Sequence, residues 1–269
     1  MNNFWKRATS GFLFVCVLTG CIFIHPICFF VLFFIINALG ILEFGRMAEK
    51  MNTYINRPFC LLCGSALFTA GFLHNYWGYK DGYLYCFLLT FIMSICELYR
   101  NKGFGFRNIA FSYYTLFYIS LPFTLLIYLP YMTSGYWMPE IIFFPFLLIW
   151  INDTFAYLFG SRFGKHKLFP RISPKKSWEG AIGGGISTVL VGLAVAPQID
   201  GYTIVDTAII SGIVVVFGIY GDLLESMFKR NIEIKDSGNL LPGHGGMLDR
   251  FDAILFAIPA IFVYMEFMY

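Results

Sequence analysis

Apolar residues run along this chain in long blocks, and polar residues gather in the gaps between them. Nine blocks read as helices that cross a bilayer, at residues 11–24, 27–44, 59–74, 82–97, 109–129, 141–159, 178–196, 204–224 and 251–268. A crossing takes about 20 residues, because a helix rises about 1.5 Å per residue through a hydrocarbon layer about 30 Å thick. The first block is short, and His25-Pro26 separates it from the second. Proline disfavours a helical residue before it. The pattern therefore predicts a break there rather than one kinked helix over 11–44.

The basic residues provide a check on this division. Alternate gaps, counted from the N-terminus, collect Lys6 and Arg7, then Arg46, Lys50 and Arg57, then Arg100, Lys102 and Arg107. The next two hold Arg162, Lys165, Lys167, Arg171, Lys175 and Lys176, and then Lys229, Arg230, Lys235 and Arg250. That is 18 of the 19 Lys and Arg on one side, with only Lys80 on the other. Cytoplasmic loops carry the Lys/Arg excess, and a wrong number of crossings would scramble the alternation. The expectation is an all-α polytopic membrane protein of nine helices, with its N-terminus cytoplasmic and its C-terminus outside.

Composition agrees. Hydrophobic residues make up 58% of the chain and charged residues 13%, against about 25% charged in soluble domains. A soluble enzyme this apolar could not cover its own surface, and a disordered chain would need the opposite balance. The net charge of +3 is too small to point to nucleic acid. The basic start and first apolar block look like a secretory signal, but no small-residue cleavage site follows, so a retained helix is expected. All seven cysteines lie within the first 96 residues. Cys60 and Cys63 form a single C-x-x-C, and a zinc site wants four ligands, so they read as small apolar helix residues.

Charge divides the chain unevenly. The first 150 residues hold nine Lys and Arg, whereas 151–252 hold the other ten together with ten of the 16 acids. We therefore expect a five-helix bundle over 1–140 and a four-helix region over 141–269 that carries the chemistry and two cytoplasmic loops. Asn152 and Asp153 sit inside the sixth block, and Asp222 near the inner end of the eighth. An Asp at mid-membrane costs about 2.5–3.5 kcal/mol on insertion scales. Alone, Asp222 also fits an ordinary helix end in the interface. It is followed by Glu225, Ser226 and Lys229 at i+3, i+4 and i+7, which share one helix face. Asp249 and Asp252 repeat the i, i+3 spacing at the start of the ninth block.

Between these pairs lies Pro242-Gly243-His244-Gly245-Gly246. A Gly-rich turn leading into a helix exposes N–H groups at the positive end of the helix dipole, which suits an anion. In isolation it also fits an ordinary turn. Here Lys229, Arg230, Lys235 and Arg250 flank it. Carboxylates for a hard cation, bases for phosphate and an N-terminal turn within 222–252 point to a polyphosphate handled with Mg²⁺. Upstream, Ser173 or Ser177 is placed to cap the seventh helix, with Glu179 in its first turn. Lys175 and Lys176 fit two roles equally, either enforcing topology or holding phosphates at the membrane surface. His25 and His166 have no partners in the sequence pattern and read as structural.

The stretch from Ser226-Met227-Phe228-Lys229-Arg230 through Lys235-Asp236-Ser237-Gly238 to Leu241-Pro242-Gly243-His244-Gly245-Gly246-Met247-Leu248-Asp249-Arg250-Phe251-Asp252 resembles the C-terminal signature of CDP-diacylglycerol synthases, also called phosphatidate cytidylyltransferases. Asn152-Asp153, Ser173-Pro174-Lys175-Lys176, Glu179-Gly180 and Gly221-Asp222-Leu223 resemble the family's secondary blocks. The resemblance covers about 145–260; before that it is limited to hydropathy and to Glu43 followed by Arg46. It implies transfer of CMP from CTP to phosphatidate, with pyrophosphate released, for phospholipid synthesis at the inner leaflet of the cell membrane. It also implies Mg²⁺, with a second metal ion left open, and a homodimer.

The catalytic set this implies is Asp222, Asp249, His244, Lys229 and Arg250. The substrate-binding set is Ser173, Lys175, Lys176, Ser226, Arg230, Lys235, Asp236, Gly245 and Gly246. The metal ligands are Asp222, Asp249 and Asp252, with Glu225 as support. His244 either donates to a phosphate oxygen or orients the loop, and Asp236 pairs with a base. Three rivals fit less well. A transporter would spread its polar residues to both sides of the membrane. A CTP-dependent lipid kinase would not match the His244-Gly245-Gly246 signature. A CDP-alcohol phosphotransferase needs a D-G-x-x-A-R run that this chain lacks.

Overall fold

The computed structural model describes residues 3–238 and 245–269. The described chain is almost wholly helical: α1 (Asn3–Ile24), α2 (Pro26–Lys50), α3 (Arg57–Trp77), α4 (Gly82–Leu98), α5 (Gly105–Thr115), α6 (Leu121–Met132), α7 (Pro139–Phe163), α8 (Trp178–Val195), α9 (Ile204–Asn231) and α10 (Leu248–Met268). A π-turn over Leu116–Ser120 runs α5 into α6, giving one rod over Gly105–Met132. A short antiparallel hairpin, β1 (Lys167–Phe169) and β2 (Ser173–Ser177), interrupts the helices. Each of the nine apolar blocks coincides with one of these rods. Among the described residues seven are long and apolar enough to cross a membrane, and Thr9–Ile24 and Gly82–Leu98 are shorter apolar helices. The protein is an all-α polytopic membrane protein.

Helix boundaries follow local chemistry. His25 is the break between α1 and α2; its Nδ1 accepts from the Ile27 N–H at 3.2 Å, and Pro26 opens α2 without needing a donor. α3 ends at Gly78, whose φ of 73° lets its N–H turn back to the last carbonyls. Ser177 caps α8 by accepting from the Gly180 N–H at 3.2 Å.

The chain packs as two compact units, and neither is a single stretch of sequence. Unit 1 comprises Met1–Tyr128 and Ile232–Arg250, and unit 2 comprises Leu129–Asn231 and Phe251–Tyr269. In unit 1, Phe29, Phe33, Phe68 and Phe123 are fully buried. Several polar groups inside it are paired. Ser120 Oγ donates to Asn37 Oδ1 at 2.9 Å. Glu97 takes Arg100 Nη1 at 2.7 Å and Asn108 Nδ2 at 2.8 Å. In unit 2, Phe144, Leu148, Ile210 and Phe251 form the core. α8 lies close on α7 because Gly180 and Gly184 face it: a Cβ on Gly184 would stand 2.9 Å from the Ala156 Cβ. Close approach through small residues suits helices in lipid, where apolar burial alone gives no drive to associate. At the other end of α9, the buried Asp206 accepts from the Thr203 N–H and the Tyr269 hydroxyl, each at 2.7 Å.

Candidate active site

Unit 2 contains a cavity of about 470 Å³. α7 contributes Asn152 and Asp153 to its lining, β1 Lys167, β2 Lys175 and Lys176, and α9 Asp222. Small residues of α7, α8 and α9, including Ala156, Gly160, Gly180 and Gly218, form its apolar walls. The hairpin brings the lysines there. Its register pairs Lys167 with Ser177 and Phe169 with Ser173. The Trp178 N–H closes onto the His166 carbonyl at 2.9 Å, and His166 Nδ1 meets Glu179 Oε1 at 2.7 Å. His166, which showed no partner in the sequence pattern, thus fastens the hairpin to the first turn of α8.

The predicted face of α9 is present. Ser226 Oγ donates to Asp222 Oδ1 at 3.1 Å, and Lys229 Nζ lies 3.4 Å from Glu225 Oε1. Lys176 is ion-paired with Asp222 Oδ2. Asp252 lies beside Glu225 and faces Asp222 and Asp153. Several carboxyl groups are therefore crowded together with lysines beside them, an all-oxygen donor set of the kind hard cations prefer. Among the described residues no three His, Cys, Asp or Glu side chains are grouped closely enough to hold an ion unaided. Asn152 Oδ1 is buried and has no protein donor among the described residues. Arg230 Nε donates to the Ile172 carbonyl at 3.4 Å, which ties α9 to the hairpin turn.

The remaining predicted residues belong to unit 1, apart from His244, which lies outside the described residues with Pro242 and Gly243. Asp249 opens α10. Its Oδ2 accepts from the Ser237 N–H at 2.9 Å, the Ser237 hydroxyl at 3.0 Å and the Gly246 N–H at 2.7 Å. Gly245 has φ of 82°, and a Cβ on it would stand 2.6 Å from Asp249 Oδ2, so the turn requires glycine there on both counts. Asp236 lines a second cavity, of about 460 Å³, with Ser237 and Gly238. Arg46 and Lys50 from α2 lie on its other side. Lys235 and Arg250 are part of the same unit.

Sequence reasoning named Glu43 in the resemblance but gave this buried residue of unit 1 no role. Glu43 is fully buried and accepts from the N–H groups of Met247 at 2.9 Å and Leu248 at 3.0 Å. The available signal was a carboxylate near the end of an apolar helix block, which is uncommon without a role.

Fold and site together define a polytopic helical membrane protein with a cavity whose carboxylates and lysines are suited to phosphate chemistry. The sequence matches the cytidylyltransferase family over residues 5–268, and the chain belongs to that family. It is 40% identical over 174 residues to a phosphatidate cytidylyltransferase of Staphylococcus saprophyticus, covering 64% of this chain and 65% of that protein. Proteins of the same description from Staphylococcus epidermidis and Staphylococcus aureus are also 40% identical, over 171 and 173 residues, covering 63% of this chain and 64% of each. The chain thus spans about 65% of the length of the curated relatives it matches.

Proposed function

We propose that this protein is a phosphatidate cytidylyltransferase of the cell membrane. A phosphate oxygen of phosphatidate forms a bond to the α-phosphorus of CTP, the bond to the β-phosphate bridging oxygen breaks, and pyrophosphate leaves with the electron pair. The products are CDP-diacylglycerol and pyrophosphate. The observation that carries this reading is the unit 2 cavity, where Lys167, Lys175 and Lys176 meet Asp222 and Asp153 against apolar walls. A phosphorylated lipid matches both sides of that lining. Because the lipid phosphate is itself the nucleophile, the site needs no Ser or Cys nucleophile. It needs alignment and charge neutralisation.

In this reading Lys175, Lys176, Lys229, Arg230, Lys235 and Arg250 hold phosphate oxygens. Ser173, Ser226 and Asp236 orient them, and Gly245 and Gly246 let the backbone approach closely. Asn152 Oδ1, buried and without a protein donor among the described residues, is an acceptor for a substrate hydroxyl or amine. His244 either donates to a phosphate oxygen or orients the loop. Asp222, Asp249 and Asp252 are the candidate carboxylates, of which one or two would hold Mg²⁺, and the ion would neutralise charge on the leaving pyrophosphate. The carboxyl crowding around Asp252 supports this, because such a group calls for a cation. Octahedral Mg²⁺ takes only one or two carboxylates and fills the rest of its shell with water and phosphate oxygens. The positive-inside pattern supports a cytoplasmic N-terminus, an outside C-terminus and a site at the inner leaflet. Family resemblance supports a homodimer.

Labelled CTP tests the chemistry. With membranes containing the protein and phosphatidate, α-labelled CTP is expected to label the lipid product and γ-labelled CTP is not. A lipid that gained only the γ label would overturn the reading in favour of a kinase.

A further inference from the structure

Glu43 sits on α2 with 0% of its surface exposed. A buried carboxylate is tolerated only where donors surround it, and among the described residues Glu43 takes them from the segment 237–248. Its Oε1 accepts from the Met247 N–H at 2.9 Å. Its Oε2 accepts from the Leu248 N–H at 3.0 Å and the Ser237 hydroxyl at 3.1 Å. Met247 and Leu248 lie at the start of α10, where helical N–H groups have no partner of their own. Glu43 therefore caps α10 from 204 residues earlier in the chain. The fit is tight. A Cβ on Gly238 would stand 2.5 Å from Glu43 Oε1, and one on Gly246 would stand 2.6 Å from Oε2.

Ser237 joins this carboxylate to a second one. Its hydroxyl lies 3.1 Å from Glu43 Oε2 and 3.0 Å from Asp249 Oδ2. One hydroxyl proton serves one acceptor well at a time. Ser237 has two carboxylate acceptors within reach, Glu43 and Asp249.

We propose that Glu43 is a positioning residue for the transfer reaction: through Ser237 and the opening N–H groups of α10 it fixes the Gly245-Gly246 turn and aims Asp249. The activity arm of the test rests on the cytidylyltransferase reading, and the exchange arm does not. The experiment uses the full chain in lipid nanodiscs and compares wild type, Glu43→Gln and Ser237→Ala. Glu43→Gln preserves size but turns an amide NH₂ toward the waiting N–H donors. It is expected to speed amide exchange at Met247 and Leu248 about tenfold. It is expected to lower kcat about tenfold to a hundredfold, with KM for CTP changed less than about threefold.

A folded Glu43→Gln protein with wild-type kcat overturns the proposal, and so does one whose exchange at these amides is unchanged. A fall in thermal stability with kcat per folded molecule preserved also overturns it, because that is the signature of a purely structural carboxylate. If Glu43→Gln does not fold, Ser237→Ala decides. A fall in kcat of about threefold or more at constant KM supports the link, and wild-type kcat sinks it. If the wild-type protein turned over no CTP with phosphatidate, the functional reading would fail, and exchange alone would decide whether Glu43 fixes the segment.

Discussion

Lys176 on β2 is ion-paired with Asp222 on α9, so the hairpin's last strand is held to the helix that carries the predicted acidic face. Ser226 donates to the other oxygen of the same carboxylate at 3.1 Å. Both oxygens of Asp222 are thus held in place by neighbouring side chains.

Removing the ammonium should expose its contribution. Lys176→Met is expected to lower kcat/KM for CTP by about a hundredfold. Lys176→Arg, which keeps the charge but not the point geometry, should recover part of that loss. Steady-state kinetics on purified protein in lipid measure both.

Asp249→Asn should abolish CTP-dependent turnover, a loss of at least about a thousandfold, while membrane insertion stays intact. Asp249 Oδ2 accepts from three donors, and asparagine keeps one oxygen for them but loses the negative charge. Turnover assays and the membrane-bound yield of the variant separate the two effects. Near-normal activity would remove Asp249 from the ligand set.

Chelation should stop the proposed transfer reversibly. EDTA is expected to stop CMP transfer, and Mg²⁺ to restore it, while Na⁺ at equal ionic strength does not. Release of pyrophosphate provides the readout.

Gly180→Ala should loosen the α7–α8 pair. The added Cβ would stand 2.7 Å from the Ala156 carbonyl oxygen, and relieving that contact is expected to destabilise the protein by about 1–3 kcal/mol. A lower thermal midpoint in detergent or nanodiscs checks this.

Much of the architecture was legible because lipid imposes a simple rule: a backbone in hydrocarbon must satisfy itself, so long apolar blocks become helices. The His25-Pro26 break and the Ser177 cap followed from local chemistry, as did the Asp222, Ser226 and Glu225, Lys229 contacts along α9. What escaped was chemistry that depends on distant packing. The run 167–177 is rich in Lys and Pro and reads as a loop, yet His166 and Glu179 close it into a hairpin across 13 residues. Glu43 had no local partner to betray its role, because its donors lie beyond 194 residues of intervening chain. Nor does hydropathy reveal that 232–250 packs with 1–128.

That last feature sets an order of events during translation. Unit 1 draws its closing segment from Ile232–Arg250, so its amino-terminal helices wait while the ribosome adds the intervening chain. At about 5–20 residues per second the interval from Glu43 to Leu248 lasts roughly 10–40 s. Throughout it the nascent Glu43 carboxylate must be shielded by water, a proton or the insertion machinery. The final keystone of the first-made half is thus among the last pieces synthesised.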